Sequence, residues 1–327
     1  MSIRTVVPGG LLLALGAVFF GGSAGRMAGA APGELAAPIS PGSGTTTVAE
    51  LHSPVLGRNI AYTVYLPYGY TASGPERYSV VYLLHGRGGS MSGWLRIKSD
   101  LDQMIAEGQI PPVVAVLPDA PSSLRAGYYI DSRFTGVGAL AAGENIEQAF
   151  TTDLIRHVDA RYRTQAERSG RVVAGYSMGG YGAMRYALAH PDLFSAAIVL
   201  SPAVYSPLPP MDSSTRQFGA FGNGSVTFDP EIYTRNNYPA TLPLFEARGL
   251  PLAMFIAAGD DEGGTADPVA AGHDIDLEAH VLYNRIRRVR TIASQLRIVD
   301  GGHNWDTWRP TFIEGMQFVF RHVKSGQ

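Results

Sequence analysis

Three kinds of side chain that together activate a hydroxyl occur in this chain in the order serine, acid, histidine. The serine is Ser177, in Gly175-Tyr176-Ser177-Met178-Gly179. The acids are the consecutive Asp260, Asp261 and Glu262, and the histidine is His303, in Gly301-Gly302-His303-Asn304-Trp305. A serine alkoxide is too basic to exist free near neutral pH. A serine nucleophile therefore needs a base within hydrogen-bond reach and an acid to orient that base. Each group stands just after an apolar, strand-like run: Val172-Val173-Ala174, Leu252 to Ala258, and SQLRIVD. A set of this kind would perform acyl transfer through a covalent serine intermediate.

The elements around these residues must place them at one edge. Arg171 to Ala187 (RVVAGYSMGGYGAMRYA) reads as a short strand, a very sharp turn and a helix of small and apolar residues. A serine on such a turn is held in strained backbone geometry, and flanking side chains must be nearly absent for the chain to fit, which Gly175 and Gly179 allow. The helix beginning after Ser177 points free N–H groups at the serine oxygen, so the Met178 N–H is the expected first oxyanion donor. Tyr78 to Leu84 (YSVVYLL) is a continuous apolar run ending in His85-Gly86-Arg87-Gly88-Gly89, and the backbone N–H of Arg87 is the expected second donor. A phosphate loop is disfavoured there, because no Lys-Ser/Thr pair follows the glycines and the full G-x-G-x-x-G spacing is not met. The Arg87 side chain is either a contact for an anionic substrate group or a solvated surface residue.

From Tyr78 onward strands and helices alternate. Helices are expected over Lys98 to Gly108, Ile146 to Tyr162, the run from the serine to His190-Pro191, Ile275 to Val289 and Trp308 to Val323, and strands at PPVVAVLPDAP and SAAIVLSPAV. That alternation predicts an α/β fold with a mostly parallel central sheet and helices on both faces. TTTVAELHS and NIAYTVYLP precede it as two further strands, with a turn at Leu56-Gly57-Arg58. Ser122 to Gly143, with Tyr128, Tyr129, Asp131 and Phe134, reads as irregular chain over the carboxyl ends of the strands, where ligands bind in open α/β sheets. Tyr205 to Leu244 shows no regular element and reads as a loop-rich cap, with Phe218, Phe221, Phe228 and Tyr233 as candidates to line a pocket. His190 reads as a helix-end residue. His273, Asp274, Asp276, Glu278 and His280 share helical spacing, but they read as a capped, solvated helix start with Asp274 as N-cap rather than as a metal site.

The net charge of −2 and the lack of basic runs beyond RIRRVR (285–290) give no electrostatic reason to expect nucleic acid. That basic cluster falls at a helix end, where cations complement the dipole. The absence of cysteine excludes disulfides, a thiol nucleophile, cysteine metal sites and a lipoprotein anchor. Residues 1–30 read as a secretory signal peptide: Arg4, an apolar run from Leu11 to Phe20, then Ala28-Gly29-Ala30. The run is shorter than the ~20 residues a spanning helix needs, so a secreted or cell-envelope protein without stable membrane insertion is expected. Residues 31–44, rich in Pro, Gly, Ala and Ser, read as a flexible linker, and 45–327 as the catalytic domain.

Several stretches together resemble the putative-esterase family of α/β-hydrolases, which includes feruloyl esterases, S-formylglutathione hydrolases, enterochelin-esterase-like proteins and secreted mycolyltransferases. They are YTVYLPYGY, VVYLLHGRGG with Trp94 following, DLIRHVDARYRT, GYSMGGYGAMRYA and GGHNWDTW, and the resemblance covers most of the chain after Thr45. It implies an α/β-hydrolase fold with Ser177 as nucleophile, His303 as base, and the Met178 and Arg87 N–H groups as oxyanion hole. The family's acid usually lies three residues after the glycine that ends its strand and is usually Asp; counting from Gly259 that residue is Glu262. Mycolyltransferases use Glu, so Glu262 is the first choice and Asp261 the second, with Asp260 next. The expected activity is hydrolysis of an acyl ester, carbohydrate-linked or cinnamoyl, without cofactor or metal. Two alternatives stay open: transfer of the acyl group to a sugar hydroxyl, and a non-catalytic binding protein on the same fold.

Overall fold

The computed structural model describes residues 42–263 and 272–323. The expected signal peptide, most of the expected linker and the segment after Gly263 therefore lie outside the described residues. Gly44, expected to end the linker, is buried, with its N–H bonded at 2.8 Å to Asp102 Oδ1.

Strands β1 (Thr45–Ser53) and β2 (Arg58–Leu66) form a hairpin. The other strands are β3 (Ser79–Leu84), β4 (Val113–Pro118), β5 (Arg171–Tyr176), β6 (Ala196–Leu200), β7 (Leu252–Gly259) and β8 (Ile292–Val299). They make one eight-stranded sheet in the order β1-β2-β4-β3-β5-β6-β7-β8. Only β2 runs against its neighbours; from β4 to β8 every pair is parallel. Parallel strands joined by helical crossovers are covered on both faces, which is why β3 to β7 are apolar at nearly every position rather than alternating.

The two faces feed two cores. Val80, Tyr82, Leu84, Val114, Val116 and Val173 point to one, and Val81, Leu83, Ala115, Leu117, Val172 and Ala174 to the other. The first core is covered by the helix over 146–161 (α2), by α3 (Met178–Ala189), by α5 (Tyr238–Arg248) and by α6 (Ile275–Ile286). The second is covered by α1 (Lys98–Ala106) and α7 (Trp305–Phe320). The middle of α2, Phe150–Leu154, is wound as a π-helix within an otherwise α-helical rod.

The cap differs from the sequence expectation. Residues 205–244 carry two helices, α4 (Pro230–Asn236) and α5, the second running on to Arg248. The helical pattern is hidden by proline, yet two of the prolines sit where helices accept them, while Pro243 lies inside α5. Pro230 and Pro239 lie in first turns, where a missing N–H costs nothing. Asp229 caps α4 through Oδ1, which accepts from the Glu231 and Ile232 N–H groups at 2.9 and 3.2 Å; Asn237 caps α5. Phe221 and Tyr233 are fully buried; Phe221 packs on Tyr128 and Tyr181 and Tyr233 packs on Phe221, so they are core rather than pocket lining. Phe218 and Phe228 are half-buried, with the Arg216 guanidinium over the Phe228 ring. Two helix ends also shift: α7 starts at Trp305, capped by Asn304, and α6 stops at Ile286.

Register brings the functional loops together. Leu84 pairs with Gly175, Tyr176 with Leu200, Leu200 with Ala257, and Gly259 with Val299. The six strands β3 to β8 therefore all leave the sheet at one edge, into His85, Asp119, Ser177, Ser201, Asp260 and Asp300. That carboxyl edge is where open α/β sheets place their sites.

Candidate active site

Ser177 sits at φ 57° and ψ −122° between β5 and α3, a conformation that L-residues avoid. The surroundings enforce it. A Cβ on Gly175 would lie 2.0 Å from the Gly179 carbonyl oxygen, and one on Gly179 would lie 2.1 Å from that of Leu84. The Ser177 N–H bonds to the Leu200 carbonyl at 2.9 Å, and its carbonyl accepts from Tyr181 and Ala203 at 3.1 Å each. Gly175→Ala is accordingly expected to lower unfolding free energy by about 1–3 kcal/mol or more, as overpacking does. The check is a urea titration, in which the midpoint should fall at constant slope; an unchanged midpoint would show that the turn has room to relax.

The three groups met first in the sequence converge. Ser177 Oγ is 2.9 Å from His303 Nε2, and His303 Nδ1 is 2.9 Å from Glu262 Oε2. The Glu262 side chain is fully buried, whereas His303 is about one-third exposed at 34%. Glu262 Oε1 accepts from the Gly259 N–H at 2.7 Å and from the Ser201 hydroxyl. His303 stands edge-on to Trp308, ring centres 5.0 Å apart at 89°. Asp261 and Asp260 are both exposed. Asp260 Oδ1 accepts the Gly301 N–H at 3.1 Å, and the Asp261 carboxylate has no hydrogen bond among the described residues. Of the three acids only Glu262 touches the histidine.

The loop after β3 is pinned from below. His85 is fully buried; its Nδ1–H donates to the Gly86 carbonyl at 2.9 Å, and its Nε2 accepts the Ala120 N–H at 3.1 Å. Those roles require the neutral ring, in keeping with burial lowering its pKa, so the 3.8 Å approach to Asp119 is not an ion pair. Arg125 holds Asp119 bidentately at 2.7 and 3.0 Å, donates to the Gly89 carbonyl at 3.0 Å, and accepts the Gly88 N–H on its own carbonyl. The N–H groups of Arg87 and Met178 have no acceptor among the described residues. The Arg87 side chain is exposed.

Other candidates lie apart. His190 bonds through Nε2 to Glu147 at 2.7 Å, beside the Arg185–Glu147 ion pair. These residues line a hollow of about 720 Å³, which none of Ser177, Glu262 or His303 lines; the chemistry follows the convergence of side chains, not cavity size. His273 Nδ1 pairs with buried Glu278 at 2.6 Å, while His280 Nδ1–H turns to the Asp276 carbonyl. These residues do not converge on a common point. Asp274 occupies the N-cap position, but its side chain makes no capping bond.

Ser201 is the site residue that sequence reading passed over. It lies in Ser201-Pro202 after β6, and a positive φ of 40° at a non-glycine residue is visible only in three dimensions.

A mostly parallel sheet with a strained serine between strand and helix, and with histidine and acid arriving from the last two strands, defines an α/β-hydrolase. The chain belongs to the family described as "Putative esterase", which it matches over residues 53–319. It is 31% identical over 200 residues to an endo-1,4-beta-xylanase/feruloyl esterase of Xylanibacter ruminicola, covering 59% of this chain and 26% of that protein. It is 34% identical over 146 residues to an esterase of Mycobacterium tuberculosis, covering 43% of this chain and 29% of that one. The chain thus matches little more than a quarter of the length of either relative. Among solved structures, a ferulic acid esterase superposes with TM-score 0.66 at 25% identity, covering 86% of this chain and 99% of that one. An S-formylglutathione hydrolase of Agrobacterium tumefaciens superposes with TM-score 0.65 at 18% identity, covering 88% and 99%, a likeness of fold. Among the described residues no helix is long and apolar enough to cross a membrane.

Proposed function

We propose that this chain is an exported serine carboxylesterase that works through an acyl-enzyme on Ser177. The observation that carries the reading is the unbroken row Ser177 Oγ, His303 Nε2, His303 Nδ1, Glu262 Oε2, with both contacts at 2.9 Å. In the first half-reaction Oγ attacks the ester carbonyl carbon while its proton passes to Nε2. The carbonyl oxygen becomes an oxyanion facing the Met178 and Arg87 N–H groups, each unbonded within the described residues. One such donor is typically worth about 3–4 kcal/mol of transition-state stabilisation. Collapse breaks the ester C–O bond, and Nε2 returns the proton to the leaving alcohol. Water then repeats the sequence on the acyl-enzyme. Glu262 keeps Nδ1 protonated and Nε2 free to accept, and balances the imidazolium that forms in each half.

An acyl ester of a carbohydrate, with a cinnamoyl-type acid as one candidate, is the substrate class we favour; the similarity to enzymes named as feruloyl esterases supports it. Export rests on residues 1–30. The test is turnover of p-nitrophenyl acetate, butyrate and octanoate and of methyl ferulate, with mass spectrometry after a fluorophosphonate probe. Hydrolysis with a single adduct on Ser177 is expected. No hydrolysis and no adduct would sink the enzyme reading in favour of a binding protein, and an acylated sugar as main product would replace hydrolase by transferase.

A further inference from the structure

We propose that Ser201 is a positioning residue for the reaction: its hydroxyl holds Glu262 so that one carboxylate oxygen alone faces His303, and Trp308 holds Ser201 in turn. The proposal rests on the serine-esterase reading given above.

The proton positions around Ser201 are forced. The Trp308 indole Nε1–H, which can only donate, lies 2.8 Å from Ser201 Oγ, so the hydroxyl accepts there. Its own hydrogen is then directed to Glu262 Oε1, because an ionised carboxylate can only accept. With the Gly259 N–H also on Oε1 at 2.7 Å, that oxygen is committed, and Oε2 is left for His303 Nδ1. The carboxylate cannot rotate without breaking two bonds in a fully buried setting, where unmade bonds are most costly.

Two further features point the same way. Ser201 is fully buried with φ of 40°, a conformation glycine adopts freely and serine does not, and it is fixed by its N–H on the Ala257 carbonyl at 2.6 Å. What serine adds at that strained position is the hydroxyl. Trp308 is itself held, stacked on Tyr176 at 4.4 Å with 22° between the rings, and it is the same ring that stands edge-on to His303. A single indole therefore backs the imidazole and orients the donor to the acid. The row of contacts is Tyr176, Trp308, Ser201, Glu262, His303, Ser177. A Glu has one more rotatable bond than an Asp, so it has more need of such a clamp.

The experiment measures kcat and KM with p-nitrophenyl butyrate for the wild type, Ser201→Ala, Ser201→Gly, Glu262→Gln and the Ser201→Ala/Glu262→Gln double variant. Ser201→Ala should lower kcat on the order of 10- to 100-fold, with KM within about twofold, because the loss is one of alignment and not of substrate contact. Ser201→Gly removes the hydroxyl while relieving the positive φ, so it should be as slow as alanine without melting lower than it. The double variant should be no slower than Glu262→Gln alone, since Ser201 acts only through that carboxylate. In proton NMR the far-downfield His303 Nδ1–H resonance should move in Ser201→Ala. A kcat within about twofold of wild type in both Ser201 variants, an additive loss in the double variant, or an unmoved resonance would overturn the proposal. Wild-type hydrolysis and Ser177 labelling separate the two failures: their absence defeats the esterase reading, whereas their presence with unaffected Ser201 variants defeats this inference alone.

Discussion

Ser177→Ala is expected to lower kcat for p-nitrophenyl esters by about 10⁶-fold and to abolish the fluorophosphonate adduct, the scale found when a triad serine is removed. The size follows from what is lost. Without Oγ no covalent intermediate forms, and His303 Nε2 has no hydroxyl to deprotonate. On the proposed mechanism what remains is the pair of oxyanion donors acting on water, which can keep about 10³–10⁴ over the uncatalysed rate. The fold should survive. The Oγ hydrogen bond at stake is the one to His303, and the hydrogen bonds that hold the turn come from the Ser177 main chain, so alanine meets the same φ of 57° with the same Cβ. Thermal melting should therefore match the wild type. Full activity in the variant would end the serine mechanism.

Glu262→Gln should cost about 10⁴ in kcat, comparable to a triad Asp→Asn change that preserves geometry. Glutamine is nearly the same shape, and the loss comes from hydrogen-bond polarity. The Gly259 N–H and the Ser201 hydroxyl both require an acceptor at the Oε1 position, so the amide oxygen is drawn there. The amide NH₂ is then left facing His303 Nδ1, which must become an acceptor. That moves the ring proton to Nε2, where it blocks transfer from Ser177. Asp261→Asn, at an exposed residue that does not reach the histidine, should stay within about twofold, as surface substitutions generally do. The comparison is a pair of kcat/KM measurements. Equal losses in the two variants, or a larger loss at Asp261, would remove Glu262 from the mechanism.

How far each of these groups is legible in the linear chain depends on the range of the physics that places it. The strained serine is announced partly by local sterics: Gly175 avoids a clash with Gly179 a few residues on, whereas Gly179 makes room for the Leu84 and His85 carbonyls at the end of β3. The alternation of apolar runs with helical periodicity is likewise local, and it predicts the parallel sheet with helices on both faces that the structure has. The helices of the cap are masked in the linear chain because Pro230, Pro239 and Pro243 look like helix breakers. Which of them fall in a first turn depends on where Asp229 and Asn237 cap, a matter of fold context. Aromatic residues serve pockets and cores alike, so the linear chain leaves Phe221 and Tyr233 open, and only the packing of Phe221 on Tyr128 and Tyr181, with Tyr233 against Phe221, assigns them to the core.

The linear chain by itself determined the strand that carries Ser177, the glycines that bend it, the order serine, acid, histidine, and the edge from which all three depart. Apart from Gly179, which makes room for the Leu84 carbonyl on β3, these follow from sterics and periodicity acting over a few residues. Which acid meets His303, that Asp260 is spent on the Gly301 N–H instead, and that Ser201 and Trp308 stand behind Glu262 were decided by tertiary structure alone. Three adjacent carboxylates differ by one residue in sequence, yet they leave a strand end in different directions. The register of β6, β7 and β8 and the docking of α7 select the one that turns inward to the imidazole.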